Sequence, residues 1–128
     1  MSLRNITFGL LGLYSVLALL HAWSLPFSAD EAHYALYGSF TDWSYFDHPP
    51  MVGWMQSIAL FFSETEFALR IIPILLSTLS LLILFKLAKS DFGEKAAFVT
   101  ILLFISAPIL QILPFGMIPE TPLILTGL

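Results

Sequence analysis

The sequence predicts an all-α, multi-spanning membrane protein with three transmembrane helices, the start of a fourth, and two interfacial helices in the first extracytoplasmic loop. Three observations predict it. Of 128 residues, 58% are hydrophobic and 11% charged, whereas a soluble domain carries about 25% charged residues. The charges leave gaps at 5–29, at 96–119, and at 67–85 apart from Arg70, each near the roughly 20 residues that a helix needs to cross hydrocarbon. The basic residues also segregate: Arg4 precedes the first gap, and Lys86, Lys89 and Lys95 lie between the second and third.

Span one is placed at about 5–27. Its apolar stretch exceeds the core of a secretory signal, and Phe27-Ser28-Ala29 has a bulky residue where cleavage wants a small one, so it is expected to stay attached. Span two runs at about 67–85, with Arg70 one turn inside, where a long side chain can snorkel. Span three covers about 96–115 and contains Pro108 and Pro114, which remove backbone donors and kink or end a helix. A further apolar run, 122–128, reaches only about 10 Å and looks like an interrupted fourth span. No repeat or domain boundary is evident, so residues 1–128 read as one N-terminal fragment of a membrane domain.

Lys and Arg collect on cytoplasmic loops, which puts the N-terminus and the 86–95 connection inside. The outer loop, 28–66, holds Asp30, Glu31, Asp42, Asp47, Glu64 and Glu66 and no Lys or Arg. Crossing parity places Glu120 on the same outer side. Within the loop, Ser28-Ala29-Asp30-Glu31 has capping-box spacing ahead of a helix at 32–40. Asp47-His48-Pro49-Pro50 leads into a second helix at 51–62, too short to span and suited to an interface.

Net charge excludes a nucleic-acid footprint, being −4 with five basic residues. The lack of cysteine excludes a disulfide scaffold, a thiolate metal site and a cysteine nucleophile. Asp30, His33, Tyr34 and Tyr37 fall at i, i+3, i+4 and i+7 on one helix face, either as a head-group or sugar surface or as a capped interfacial helix with belt tyrosines. His33, Asp47 and His48 offer oxygen and imidazole ligands without a spacing that holds two on one element. His21, inside span one, is either functional or bonded to another helix. Arg70, the only basic residue of the outer half, can hold a phosphate bidentately or pair with Glu66 four residues earlier. Trp43, Tyr45, Phe46 and Trp54 suit interface anchors first and sugar stacking second.

Four segments in order, DEAHYALYGSF, DWSYFDHPPMVGW, EFALRIIPILLSTLSLLILFKLAKSDFG and PETPLIL, make residues 30–128 resemble the start of a GT-C type membrane glycosyltransferase. The group is that of the dolichyl-phosphate-mannose protein mannosyltransferases and aminoarabinose transferases. The resemblance implies transfer of a sugar, with inversion, from a polyprenyl-phosphate donor to a lipid, protein or polysaccharide acceptor outside the cytoplasm, in a bacterial inner membrane. It maps the central acidic pair onto Asp30 and Glu31. The second acid falls on Glu120, where Asp is usual, the span-two arginine on Arg70, and the DHPP segment on Asp47 to Pro50. His33, Tyr34, Tyr37, Asp47 and His48 join Arg70 as expected substrate contacts. The resemblance carries no cofactor with certainty. A divalent metal stays open, with Asp30, Glu31 and His48 as candidate ligands. Relatives have more spans, so the 128 residues alone are expected to be inactive. The rival readings are a non-enzymatic membrane protein whose acidic loop binds a partner, and a transporter fragment. The former has no need of these motifs in this order, and the latter wants polar groups at midplane.

Overall fold

The computed structural model describes residues 2–114 and 116–128. Helix α1 (Leu3–Ser24) opens on Ser2, whose side chain accepts the Asn5 N–H. It stops at Ser24 rather than Phe27, with Leu25 extended ahead of Pro26, because a residue before proline is pushed out of helical geometry. Helices α2 (Ala29–Ser39) and α3 (Met51–Phe62) stand where the capping box and the Pro-Pro pair lead. They pack on each other through Gly38 and Gln56.

Helix α4 (Glu66–Ser106) is capped by Thr65, which accepts the Ala68 N–H. At Gly93 its backbone leaves helical geometry, with φ 85° and ψ 176°. Two arms, 66–92 and 94–106, meet there. The first arm lies antiparallel to α1: Phe8 meets Phe85 with ring centroids 5.6 Å apart, Ser15 Oγ lies 3.0 Å from Thr78 Oγ1, and Arg70 Nη1 donates to the Ala22 carbonyl at 3.2 Å. The second arm folds back, since Ala97 and Ile101 share a core with Leu11, Tyr14, Leu81 and Phe85. On a straight helix Phe85 and Ile101 would stand about 24 Å apart.

This differs from the expected arrangement in two ways. The connection between spans two and three contracts to Gly93, leaving Lys86 and Lys89 on helix and not in a loop. The second arm ends at Ser106, because Pro108 has no N–H to continue it; residues Pro108–Ile112 form a 3₁₀ turn instead. The expected end of span three, Phe115, lies outside the described residues. Helix α5 (Glu120–Gly127) follows, beginning two residues before Pro122.

By length and composition α1 and α4 are apolar enough to cross a membrane. Their contact faces are rich in small residues, with Ala18, Ala22, Ser77, Ser80, Ala88 and Ala97 buried. Small residues let helix backbones approach where packing, and not dehydration, drives association. Outward-facing Leu13, Leu17, Leu20, Leu75 and Leu103 are more than half exposed, a surface that hydrocarbon suits.

Candidate functional site

The site is built around the first turn of α2. The Ser28 side chain accepts the Glu31 N–H at 3.3 Å, and Glu31 Oε2 accepts the Ser28 N–H at 2.9 Å. The same carboxylate takes Arg70 bidentately, Nε to Oε1 at 2.6 Å and Nη2 to Oε2 at 2.9 Å. The remaining guanidinium N–H groups donate to the carbonyls of Ala22 (3.2 Å), Leu25 (2.5 Å) and Pro26 (3.0 Å). An arginine has five N–H donors, and all five are used. Its side chain is 1% exposed and that of Glu31 12%. Arg70 thus ties the end of α1, the start of α2 and the first arm of α4 at one point. Burial pushes the Glu31 carboxyl up, but hydrogen bonds from Arg70 and Ser28, with the Arg70 charge, outweigh it and hold the group below the usual carboxylate range.

Of the two readings open for Arg70, the pairing with Glu66 does not form. Glu66 Oε2 instead accepts the Phe27 N–H at 3.1 Å. Asp30, next to Glu31, is exposed. Together with Tyr34 and Glu120 it lines a cavity of about 490 Å³, whose apolar walls are Leu110, Leu113, Ile118 and Ile124. The two acids, 90 residues apart, therefore face one space.

The Tyr34 hydroxyl lies 2.9 Å from His48 Nε2. Beyond it Asp47 accepts from the Tyr37 hydroxyl and sits 3.5 Å from His48 and 3.7 Å from His33. His33 Nε2 lies 2.9 Å from the Tyr37 hydroxyl. Tyr37 stacks on Tyr45 at 3.8 Å between centroids, and Tyr45 donates to the Tyr37 carbonyl at 2.7 Å. A network of phenol, imidazole and carboxylate thus connects α2 to the segment before α3. Burial, then the charges of Asp30, Glu120 and Asp47, push the Tyr34 phenol up. The Tyr37 hydroxyl's own hydrogen bond to Asp47 raises that phenol to about 12, and the same bond lowers Asp47. Both phenols stay protonated at neutral pH and remain hydrogen-bond donors.

The candidate metal ligands do not converge. Glu31 is spent on Arg70 and Ser28, His48 faces Tyr34, and Asp30 faces Glu120. Among the described residues no three His, Cys, Asp or Glu side chains form a group suited to a metal. Of the aromatic anchors, Trp43 and Trp54 meet edge to face at 5.6 Å beside an open surface depression, and Phe46 is fully exposed. His21 lines a separate cavity of about 310 Å³ with Tyr14 and Gln111. Two residues that no local pattern singles out also belong to the site: buried Thr121, whose hydroxyl donates to the carbonyls of Leu113 and Gly116, and Gly116 itself, which lies against Glu31. Their contacts are between segments, and spacing along the chain carries no trace of them.

Two helices long and apolar enough to cross a membrane, with acids and phenols gathered at one end of the bundle, fit a membrane protein. The family model for dolichyl-phosphate-mannose-protein mannosyltransferase matches residues 47–128, and the chain belongs to that family of GT-C type membrane glycosyltransferases. The match takes in the DHPP segment, Arg70 and Glu120, and begins downstream of Asp30 and Glu31. No curated protein and no solved structure matches the chain.

Proposed function

We propose that the protein transfers a sugar from a polyprenyl-phosphate carrier to an acceptor on the extracytoplasmic side, with inversion at the anomeric carbon. The observation that carries this reading is the shared cavity of Asp30, Tyr34 and Glu120 at one end of the bundle. In this reading α1 and the two arms of α4 make three crossings. The second arm covers about 20 Å as α-helix, and the 3₁₀ turn adds about 10 Å. Helices α2 and α3 lie at the outer interface.

Inverting transfer has a simple balance. The acceptor oxygen forms a bond to the anomeric carbon and loses its proton to a base, while the bond from that carbon to the phosphate oxygen breaks and its electrons leave with the polyprenyl phosphate. Asp30, exposed to the cavity, is assigned as the base, Glu120 orients acceptor or sugar, and Tyr34 donates a hydrogen bond. Arg70 has no N–H left for the phosphate in this geometry, so its role is to hold Glu31 and, through the first turn of α2, Asp30. His33, Tyr37, Asp47 and His48 keep Tyr34 in place.

Asp30→Asn in the intact protein, assayed in membranes with polyprenyl-phosphate mannose as first donor, tests this. Transfer should fall by about 10²-fold or more, the range of a lost general base, with membrane insertion unchanged. Retained transfer would overturn the assignment of Asp30.

A further inference from the structure

Gly116, between the 3₁₀ turn and α5, is buried. A Cβ at this position would stand 2.6 Å from Glu31 Cγ and 3.2 Å from both Cδ and Oε1, where ordinary contact begins at 3.4 Å. Usually the far end of a side chain would swing aside. Here it has no such freedom, because Arg70 holds both carboxylate oxygens and Ser28 holds one of them again. The part that must yield is the turn that Gly116 belongs to.

That turn leads directly to Glu120. The Ile118 N–H donates to the Gly116 carbonyl at 3.0 Å, and the Thr121 N–H to the Ile118 carbonyl at 3.0 Å. The Thr121 hydroxyl closes back on Leu113 at 3.2 Å and Gly116 at 3.4 Å. With these bonds joining 113, 116, 118 and 121, a displacement at Gly116 is passed on and not absorbed.

We infer that Gly116 is a positioning residue: its missing side chain lets the turn seat on the Glu31–Arg70 pair, and that seating sets where Glu120 stands relative to Asp30. The inference rests on the two-carboxylate function proposed above. Gly116→Ala should lower kcat by about tenfold to a hundredfold, as displacements near 1 Å do. The KM for the donor should stay within about twofold, since lost orientation need not weaken ground-state binding. Gly12→Ala, on α1 with nothing within 4 Å of the added methyl, should leave kcat alone.

The chain has no cysteine, so a trifluoromethyl label on Leu123→Cys, at an exposed site of α5, reports the position of the turn by ¹⁹F NMR without reference to activity. Gly116→Ala should move its resonance, but should add no shift in a Glu31→Ala background, where the obstructing Cγ is gone. An equal shift in both backgrounds, or a moved resonance with unchanged kcat, overturns the inference. If Glu31→Ala does not fold, Gly116→Ala decides alone: a moved resonance with lowered kcat supports the inference, and an unmoved one overturns it. Active Asp30→Asn with the resonance cycle intact would overturn the function proposed for Asp30 and leave the seating of the turn standing.

Discussion

Arg70 sets a buried charge, with all its N–H groups bonded, inside an apolar helix. Its charge in an apolar helix marks it, and Glu66 is the neighbour that helical spacing offers. The partner found is Glu31, 39 residues away, a contact that depends on α2 returning over the end of α1. The capping role of Glu31 was legible because a capping box is local; its second bond was not. With Arg70 1% and Glu31 12% exposed, removing one partner leaves a buried charge uncompensated. Arg70→Met should therefore destabilise the protein by about 3–5 kcal/mol, read as a lowered thermal midpoint in detergent. Arg70→Met with Glu31→Leu should regain much of that loss, since an apolar pair leaves no stranded charge. A double variant as unstable as the single one would mean that the orphaned carbonyls of Ala22, Leu25 and Pro26, and not Glu31, carry the cost.

At the scale of elements, helix starts were legible and helix joints were not. Ser28 and the Pro49-Pro50 pair act on their own first turns, so α2 and α3 begin where those residues lead; the Thr65 cap of α4 is seen only in the structure. The joint at Gly93 lies in a charged stretch that suggests a loop, yet the chain reverses at a single residue. With φ 85° and ψ 176°, Gly93 occupies a region essentially restricted to glycine, costing about 1–3 kcal/mol for any other residue. Gly93→Ala should lower stability by that amount, measured by denaturant titration in micelles. Gly93→Asn should be no better, because asparagine is tolerated in the left-handed helical region but not with an extended ψ. An asparagine variant as stable as wild type would show that the reversal tolerates another geometry.

For the whole molecule, the two ends of the bundle differ in charge, and that difference gives an expected orientation that labelling can check. Arg4, Lys86, Lys89 and Lys95 gather around the Gly93 joint, where the Arg4 N–H donates to Glu94 at 2.9 Å and Lys89 lies 3.8 Å from Glu94. Asp30, Glu31, Glu66 and Glu120 gather at the other end, with Arg70 as the one basic side chain among them. Helix α1 separates the two ends by about 33 Å at 1.5 Å per residue, enough to place them on opposite sides of a bilayer. Because translocation retains Lys and Arg in the cytoplasm, the basic end should stay inside and the carboxylate cavity face out. A cysteine at Ser39, exposed at the end of α2, should react with an impermeant thiol reagent added to intact cells. One at Ser90, exposed beside the joint, should react only after permeabilisation. The cysteine-free background makes both readings clean. Labelling of Ser90→Cys but not Ser39→Cys in intact cells would invert the topology and move the site to the cytoplasmic face. Labelling of both would mean that the first arm of α4 does not cross as proposed.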